Sequence, residues 1–205
     1  MTRFLFILFF YLIPGICYSQ DTPSIKVHFL YGSKPHSRYE DTEPLWFGGK
    51  PGGHAGIEYR NDSIIDFVHW GRFHWLQKRG DKHGRFNVHS IKSFYAILGG
   101  NPDSVKKAVV IVPLTILQKQ LMDSLVVNYR RQSPYDYALV GMRCAAATYD
   151  ILAQLGILKH LSFRKTYLNI FFPRKLRKRL FKKARKSNWA IERQDGSAKR
   201  KWDKD

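Results

Sequence analysis

Two short stretches hold the residues whose chemistry could matter. Gly52-Gly53-His54-Ala55-Gly56-Ile57-Glu58-Tyr59 places a histidine at the start of a strand-like run, directly after a glycine-rich segment. Alternation along a strand sends Ala55, Ile57 and Tyr59 to one side and His54, Gly56 and Glu58 to the other. Gly56 leaves room beside the imidazole for another group or a substrate backbone, with Gly53 at the same rim. Ninety residues after His54, the run Tyr135-Asp136-Tyr137-Ala138-Leu139-Val140-Gly141-Met142-Arg143-Cys144-Ala145-Ala146-Ala147 puts a cysteine where a helix begins. A helix N-terminus and the neighbouring Arg143 both favour thiolate over thiol. An imidazole brought to that sulfur completes a nucleophile–base pair.

Plainer readings compete. Cys144, Thr148, Ile151 and Leu155 also form a helical core stripe, which suits a buried, inert cysteine. His54 taken alone is as well a hydrogen-bonded structural histidine, and Glu58 reads as a solvated strand residue.

Elements must exist to bring the two stretches together. Ile25 to Tyr31 is strand-like and stops at the turn cluster Gly32-Ser33-Lys34-Pro35. His54–Arg60 and Ser63–Trp70 flank Asn61-Asp62, a hairpin signature. Arg85 to Ile91 alternates, and Ala108 to Val112 is a short buried-strand run. Leu114 to Arg131 reads as a helix with Leu117, Leu121, Leu125 and Tyr129 on its inner face. A second helix spans Cys144 to Leu155, with Gly156 as its C-terminal stop. The sum is an α+β chain: a small antiparallel sheet or half-barrel packed against helices.

Strand-borne Gly-His-Ala-Gly-Ile-Glu, followed much later by helix-opening Arg-Cys-Ala-Ala-Ala, resembles the circularly permuted papain-like thiol hydrolases of the NlpC type. That group includes relatives similar to lecithin:retinol acyltransferase, and in it the histidine precedes the cysteine, as here. The resemblance covers residues 25 to 158. It implies a third polar residue on the strand after the histidine, and twelve positions beyond His54 stands Asp66, where many relatives carry histidine or glutamate. Arg143 stands where some relatives have asparagine. The implied roles are attack by Cys144, proton handling by His54 and orientation of the imidazole by Asp66. The Cys144 backbone N–H would help hold the oxyanion, with Tyr135 or Tyr137 adding a donor. The resemblance calls for no cofactor. It implies cleavage of an amide bond in cell-wall stem peptides, or acyl transfer on a lipid ester, as some permuted relatives perform.

Strand register tests that assignment. A hairpin turning through Asn61-Asp62 alone sets His54 opposite His69 and sends Asp66 to the other face. For His54 and Asp66 to share a face, the loop needs an odd number of residues or the ladder needs a bulge. His69 is therefore the fallback partner of His54, with Glu58 behind it. His69, His74, His83 and His89 match no standard zinc spacing, so no metal site is expected.

The termini and the charge bear on location. Met1-Thr2-Arg3, the apolar run Phe4 to Ile13, and Cys17 and Ser19 at small-residue positions before Gln20 have a signal-peptide layout, too short for a membrane span. Cleavage after Ser19 gives an exported, envelope-associated or periplasmic chain whose one cysteine is Cys144. A lipid anchor on Cys17 fits less well, because Ile16 is bulky. The 205 residues are 44% hydrophobic, enough for one core, and residues 20 to 166 are expected to form it.

Lys and Arg number 35 against 16 acids, a net charge of +19, so the chain must meet anionic partners. Residues 167 to 205 read as an appended basic tail, helical or disordered and separable from the domain. In it Phe172, Leu176, Leu180 and Ala184 recur between cations, after Pro173 at a helix start. Arg174, Lys175, Arg177, Lys178, Arg179, Lys182, Lys183, Arg185 and Lys186 would then dock on an anionic envelope polymer or membrane. A non-catalytic envelope-binding protein acting through this tail is the reading outside enzymology. Nucleic acid ranks last, since an exported chain seldom meets it.

Overall fold

The computed structural model describes residues 22–31, 53–72, 74–80, 82–98, 103 and 105–195. The signal-peptide reading of residues 1–19, the aromatic stretch up to Phe47, the glycine run 48–52 and the last ten residues lie outside these. The described elements run in chain order. They are β1 (Ser24–Tyr31), β2 (Gly53–Arg60), β3 (Ser63–His69), β4 (His74–Leu76), β5 (Gly84–His89), α1 (Ile91–Leu98) and β6 (Lys107–Pro113). Then follow α2 (Ile116–Arg131), β7 (Ala138–Val140), α3 (Cys144–Gln154), α4 (Phe163–Asn169), α5 (Pro173–Lys186) and β8 (Ile191–Gln194).

This is a mixed α+β architecture built on one antiparallel sheet. Its order is β5-β3-β2-β1-β6-β8, and a short parallel pair, β4–β7, stands apart. Alternation in β1 and β2 does what the sequence pattern implies. Ile25, Val27, Phe29, Ala55, Ile57 and Tyr59 face the main core with Ala108, Val110 and Val112 of β6. The helices α2, α3 and α5 complete that core through Met122, Ala146, Leu152, Leu176 and Leu180, among others. On the other face Leu30 and Ile64 pack under Phe94 and Tyr95 of α1, a helix absent from the sequence reading.

Local signals set the helix ends. Thr115 and Gln118 cap α2 reciprocally, side chain to backbone in both directions. At the end of α3, Gly156 adopts φ 72°. Its N–H reaches Ala153 O at 3.0 Å, and the Ile157 N–H reaches Leu152 O at 2.9 Å. That double bond needs a left-handed residue, and glycine supplies it without strain.

Two expectations are corrected. In α2 the inner stripe is Gln118, Met122, Leu125 and Tyr129, whereas Leu117 and Leu121 are exposed. The helix starts at Ile116 rather than Leu114, and the fastening of Gln118 to Leu155 O fixes its rotation. The second correction concerns residues 167–205, which through Gln194 are not an appendage. Leu176, Leu180 and Ala184 are fully buried in the main core, and β8 extends the sheet by pairing with β6. The narrow apolar stripe is the reason, because it fits a core groove as well as it fits a lipid surface.

Candidate functional site

The β2–β3 hairpin positions the histidine and the acid. Asn61-Asp62 makes a two-residue turn with Asp62 at φ 59°, and the register slips between Glu58 and Arg60. That bulge supplies the odd residue the argument required. Gly56 then lies opposite Asp66, so His54 and Asp66 are diagonal neighbours on one face. His54 Nε2 stands 2.7 Å from Asp66 Oδ2. Asp66 is 1% exposed, so its carboxylate has no access to bulk water.

Cys144 opens α3, whose N-cap Arg143 makes no side-chain cap. The first-turn N–H groups therefore keep their electropositive character beside the sulfur. His54 spends Nε2 on Asp66, which leaves Nδ1 free of that bond, and Cys144 is near enough to act on the ring's ionisation. The Ala55 backbone N–H is near enough to Cys144 to favour the thiolate. Burial by itself would raise the thiol pKa, but the His54 imidazolium, the Arg143 guanidinium and the Ala55 N–H outweigh it and bring the value down. Burial would likewise lower His54, yet Cys144 and Asp66 raise it to about 10. Asp66, which burial alone would raise, is held below the usual carboxylate range by His54 and His89. The arrangement favours a thiolate–imidazolium pair, backed by a carboxylate, over the neutral thiol and imidazole.

His89 is the residue the sequence did not suggest for this role. Its Nε2 lies 3.3 Å from Asp66 Oδ1, an ion-pair contact too poorly aligned to give that oxygen a hydrogen bond. A count of two along β5 from Asn87, the partner of Asp66, would have found it once the pairing was known.

Of the two tyrosines, only Tyr137 belongs to the site. Arg143, Cys144 and Asp66 are all near enough to act on its ionisation. Burial first, then Cys144, push its phenol up to about 12, so it remains a proton donor at neutral pH. Tyr135 is corrected: its hydroxyl donates to Asp150 beside Tyr129, and burial raises its pKa. It serves the packing of α2 on α3.

Four further candidates are placed elsewhere. His69 stacks edge-on to Tyr137 with ring centroids 5.8 Å apart and does not partner His54, because the bulge moves it off that face. Glu58 is neither solvated nor near the thiol. It is buried, accepting from His28 Nε2 at 2.9 Å and Lys26 Nζ at 3.0 Å, while His28 Nδ1 meets Tyr95 OH at 2.6 Å. Gly56 opens no groove: a Cβ there would lie 2.7 Å from Ile64 Cγ2 and 2.9 Å from Phe94 Cε2, so the space is filled by α1. Gly53, at φ 99°, is buried opposite Tyr31 at the start of β2.

A second buried cluster fastens the loop that carries Tyr137. Asp136 accepts from His74 Nδ1 at 2.7 Å, from the His83 N–H at 2.8 Å and from the Lys78 N–H at 3.0 Å. The Met142 N–H donates to Gln77 Oε1 at 3.0 Å. These bonds tie residues 74–83 to residues 136–142 and so fix the approach to Arg143 and Cys144. Among the described residues no three metal-binding side chains gather, and no helix is long and apolar enough to cross a membrane.

On α5 the cations divide. Lys175, Lys178, Arg179, Lys182, Lys183, Arg185 and Lys186 are exposed, and Arg174 is half-buried. Arg177 is corrected: it is 2% exposed, its guanidinium 3.7 Å above the Tyr31 ring. Its place in the helix puts it on the stripe side, where an aromatic face takes the charge.

No protein-family model matches this chain, and no curated protein matches it. Among solved structures, the crystal structure of a type VI secretion system effector, TseH, is similar at a TM-score of 0.43 and 10% identity. The match covers 74% of this chain and 89% of that one. At that level the likeness carries no functional argument.

Proposed function

We propose that this chain is an exported thiol hydrolase of the permuted papain-like kind that cleaves an amide bond in cell-wall stem peptides. One observation carries the reading: Cys144 opens α3 close enough to buried His54 for each to act on the other's ionisation, and His54 Nε2 is held at 2.7 Å by buried Asp66. The order of the chain, histidine on a strand and cysteine later at a helix start, supports the permuted arrangement. The substrate class comes from the resemblance.

In this reading the Cys144 thiolate attacks the amide carbon, forming an S–C bond. The carbonyl oxygen becomes an oxyanion facing the Cys144 N–H and the Tyr137 hydroxyl. Collapse breaks the C–N bond as imidazolium His54 gives its proton to the departing amine. Water, deprotonated by the now neutral His54, then attacks the thioester and releases the acid and the thiolate. Asp66 keeps the ring oriented and its charge stabilised throughout. The exposed cations of α5 hold the enzyme at an anionic envelope polymer.

The test is release of new amine termini from purified peptidoglycan, followed by mass spectrometry. Wild type should release them and Cys144→Ser should not. Equal release by both proteins would defeat the reading. Absence of any release, with binding to the envelope intact in both, would favour the non-catalytic binding protein.

A further inference from the structure

Four large apolar side chains stand in water around the β4–β7 ribbon: Trp70 at 58% exposure, Trp75 at 72%, Leu76 at 67% and Val140 at 40%. Leu76 and Val140 are register partners across the ribbon, and Trp70 enters the turn that precedes it. Exposed apolar groups scattered singly need no explanation, but a cluster on one ribbon does. The ribbon is firmly held. His74, between the exposed residues, is buried on Asp136, and Gln77 takes the Met142 N–H. The apolar groups are thus displayed on a fixed scaffold.

The same stretch is cationic. Arg72, Lys78, Arg79, Lys82 and Arg85 are all exposed, and the Arg85 guanidinium lies 3.3 Å over the Trp70 ring. Asp136, beside β7, is buried, and its oxygens accept from His74 Nδ1 and from the Lys78 and His83 N–H groups. Indoles and aliphatic tips in a stretch that also carries exposed Arg and Lys are what an anionic bilayer interface rewards. The rings sit at headgroup level, the aliphatics reach the acyl boundary and the cations meet phosphate. A polysaccharide could stack on the indoles, but it offers nothing to the paired Leu76 and Val140.

From this juxtaposition we infer that the β4–β7 ribbon, with the cations of residues 72–85, is a contact surface for anionic phospholipid bilayers. It is separate from the basic face of α5 and does not depend on the thiol chemistry. Val140 precedes Cys144 by four residues, so bilayer contact through this ribbon brings the α3 end of the molecule to the lipid.

Flotation with phosphatidylcholine vesicles, with and without phosphatidylglycerol, tests it on the full chain. Binding should need the anionic lipid and weaken with salt. Trp75→Ser/Leu76→Ser should lower the partition coefficient by roughly tenfold or more while leaving the thermal midpoint unchanged, because both side chains are exposed. Lys178→Gln/Lys182→Gln/Lys186→Gln on α5 should leave most of the binding in place. Unchanged partition in the ribbon variant, or loss of binding only in the α5 variant, overturns the inference. So does binding to a soluble anionic polysaccharide with none to vesicles. The outcome is independent of whether Cys144→Ser abolishes hydrolysis.

Discussion

His54 and Asp66 meet across a diagonal of the β2–β3 hairpin that exists only because one residue is bulged out between Glu58 and Arg60. Without the bulge the imidazole would look across at His69, an exposed residue that could neither be shielded from water nor hold a ring in one orientation. The bulge therefore selects a buried carboxylate as partner, and the carboxylate supports the charge on the ring.

The thiol should titrate as half of an ion pair. In a chain carrying Cys17→Ser, iodoacetamide should label Cys144 at pH values well below the ordinary thiol pKa of about 8.5. The signs follow from the two shifts. Thiolate disappears as pH falls through the lowered Cys144 value, and the imidazolium is lost as pH rises through about 10. Replacing His54 with Ala should move the labelling midpoint upward. A midpoint at or above that of a free thiol in the parent protein would sink the pair.

Asp66 and His89 should be separable. Asp66→Asn removes the charge behind the ring, so the thiol midpoint rises and turnover falls by on the order of 10². His89→Gln leaves the 2.7 Å bond in place and touches only Oδ1, so its effect should stay within about tenfold. Thiol titration of both variants decides this. A His89 variant as impaired as the Asp66 variant would make His89 the stronger support of the site.

Helix α5 should behave as core. Leu180→Ala, at a fully buried position, should cost about 2–5 kcal/mol in urea unfolding. Arg177→Ala should cost about 1–2 kcal/mol through its lost place over Tyr31, while exposed Lys178→Ala should stay within about 0.5 kcal/mol. Truncation after Phe172 should expose dye-binding apolar surface. A truncated chain with a native unfolding transition would show that α5 and β8 are dispensable.

Acid should be the weak side of the stability profile. Asp66, Glu58 and Asp136 all have folded-state pKa values below their ordinary ones, through His54, His28 and the His83 N–H respectively. A depressed carboxylate adds stability above its unfolded pKa of about 4 and loses it as pH falls through the folded value. Unfolding free energy should therefore be flat on this account above about pH 5 and decline below pH 4. Glu58→Gln should flatten that decline; an unchanged slope would mean the buried Glu58–His28 contact has no linkage to folding.

The sequence was informative where side-chain chemistry and local geometry agree. The strand carrying His54, the helix opened by Cys144, the stop at Gly156 and the stripe of α5 can all be read from residue type and spacing. The need for a bulge could be deduced from parity, though its place could not. What stayed hidden depended on pairing at a distance. Glu58 looks solvated until Lys26 and His28 are known to flank it on β1. Gly56 looks like an opening until α1 arrives with Phe94 to fill it. Arg177 looks like one cation among many until Tyr31 is found beneath it. Periodicity located the α5 stripe and was silent about what the stripe would meet.

Strand β8 seals the outer edge of β6 with Ile191 to Gln194, and the helix before it supplies part of the core. During synthesis β6 consequently keeps an open hydrogen-bonding edge until residue 194 has been made, and that bare edge is what a neighbouring chain could pair with in the meantime.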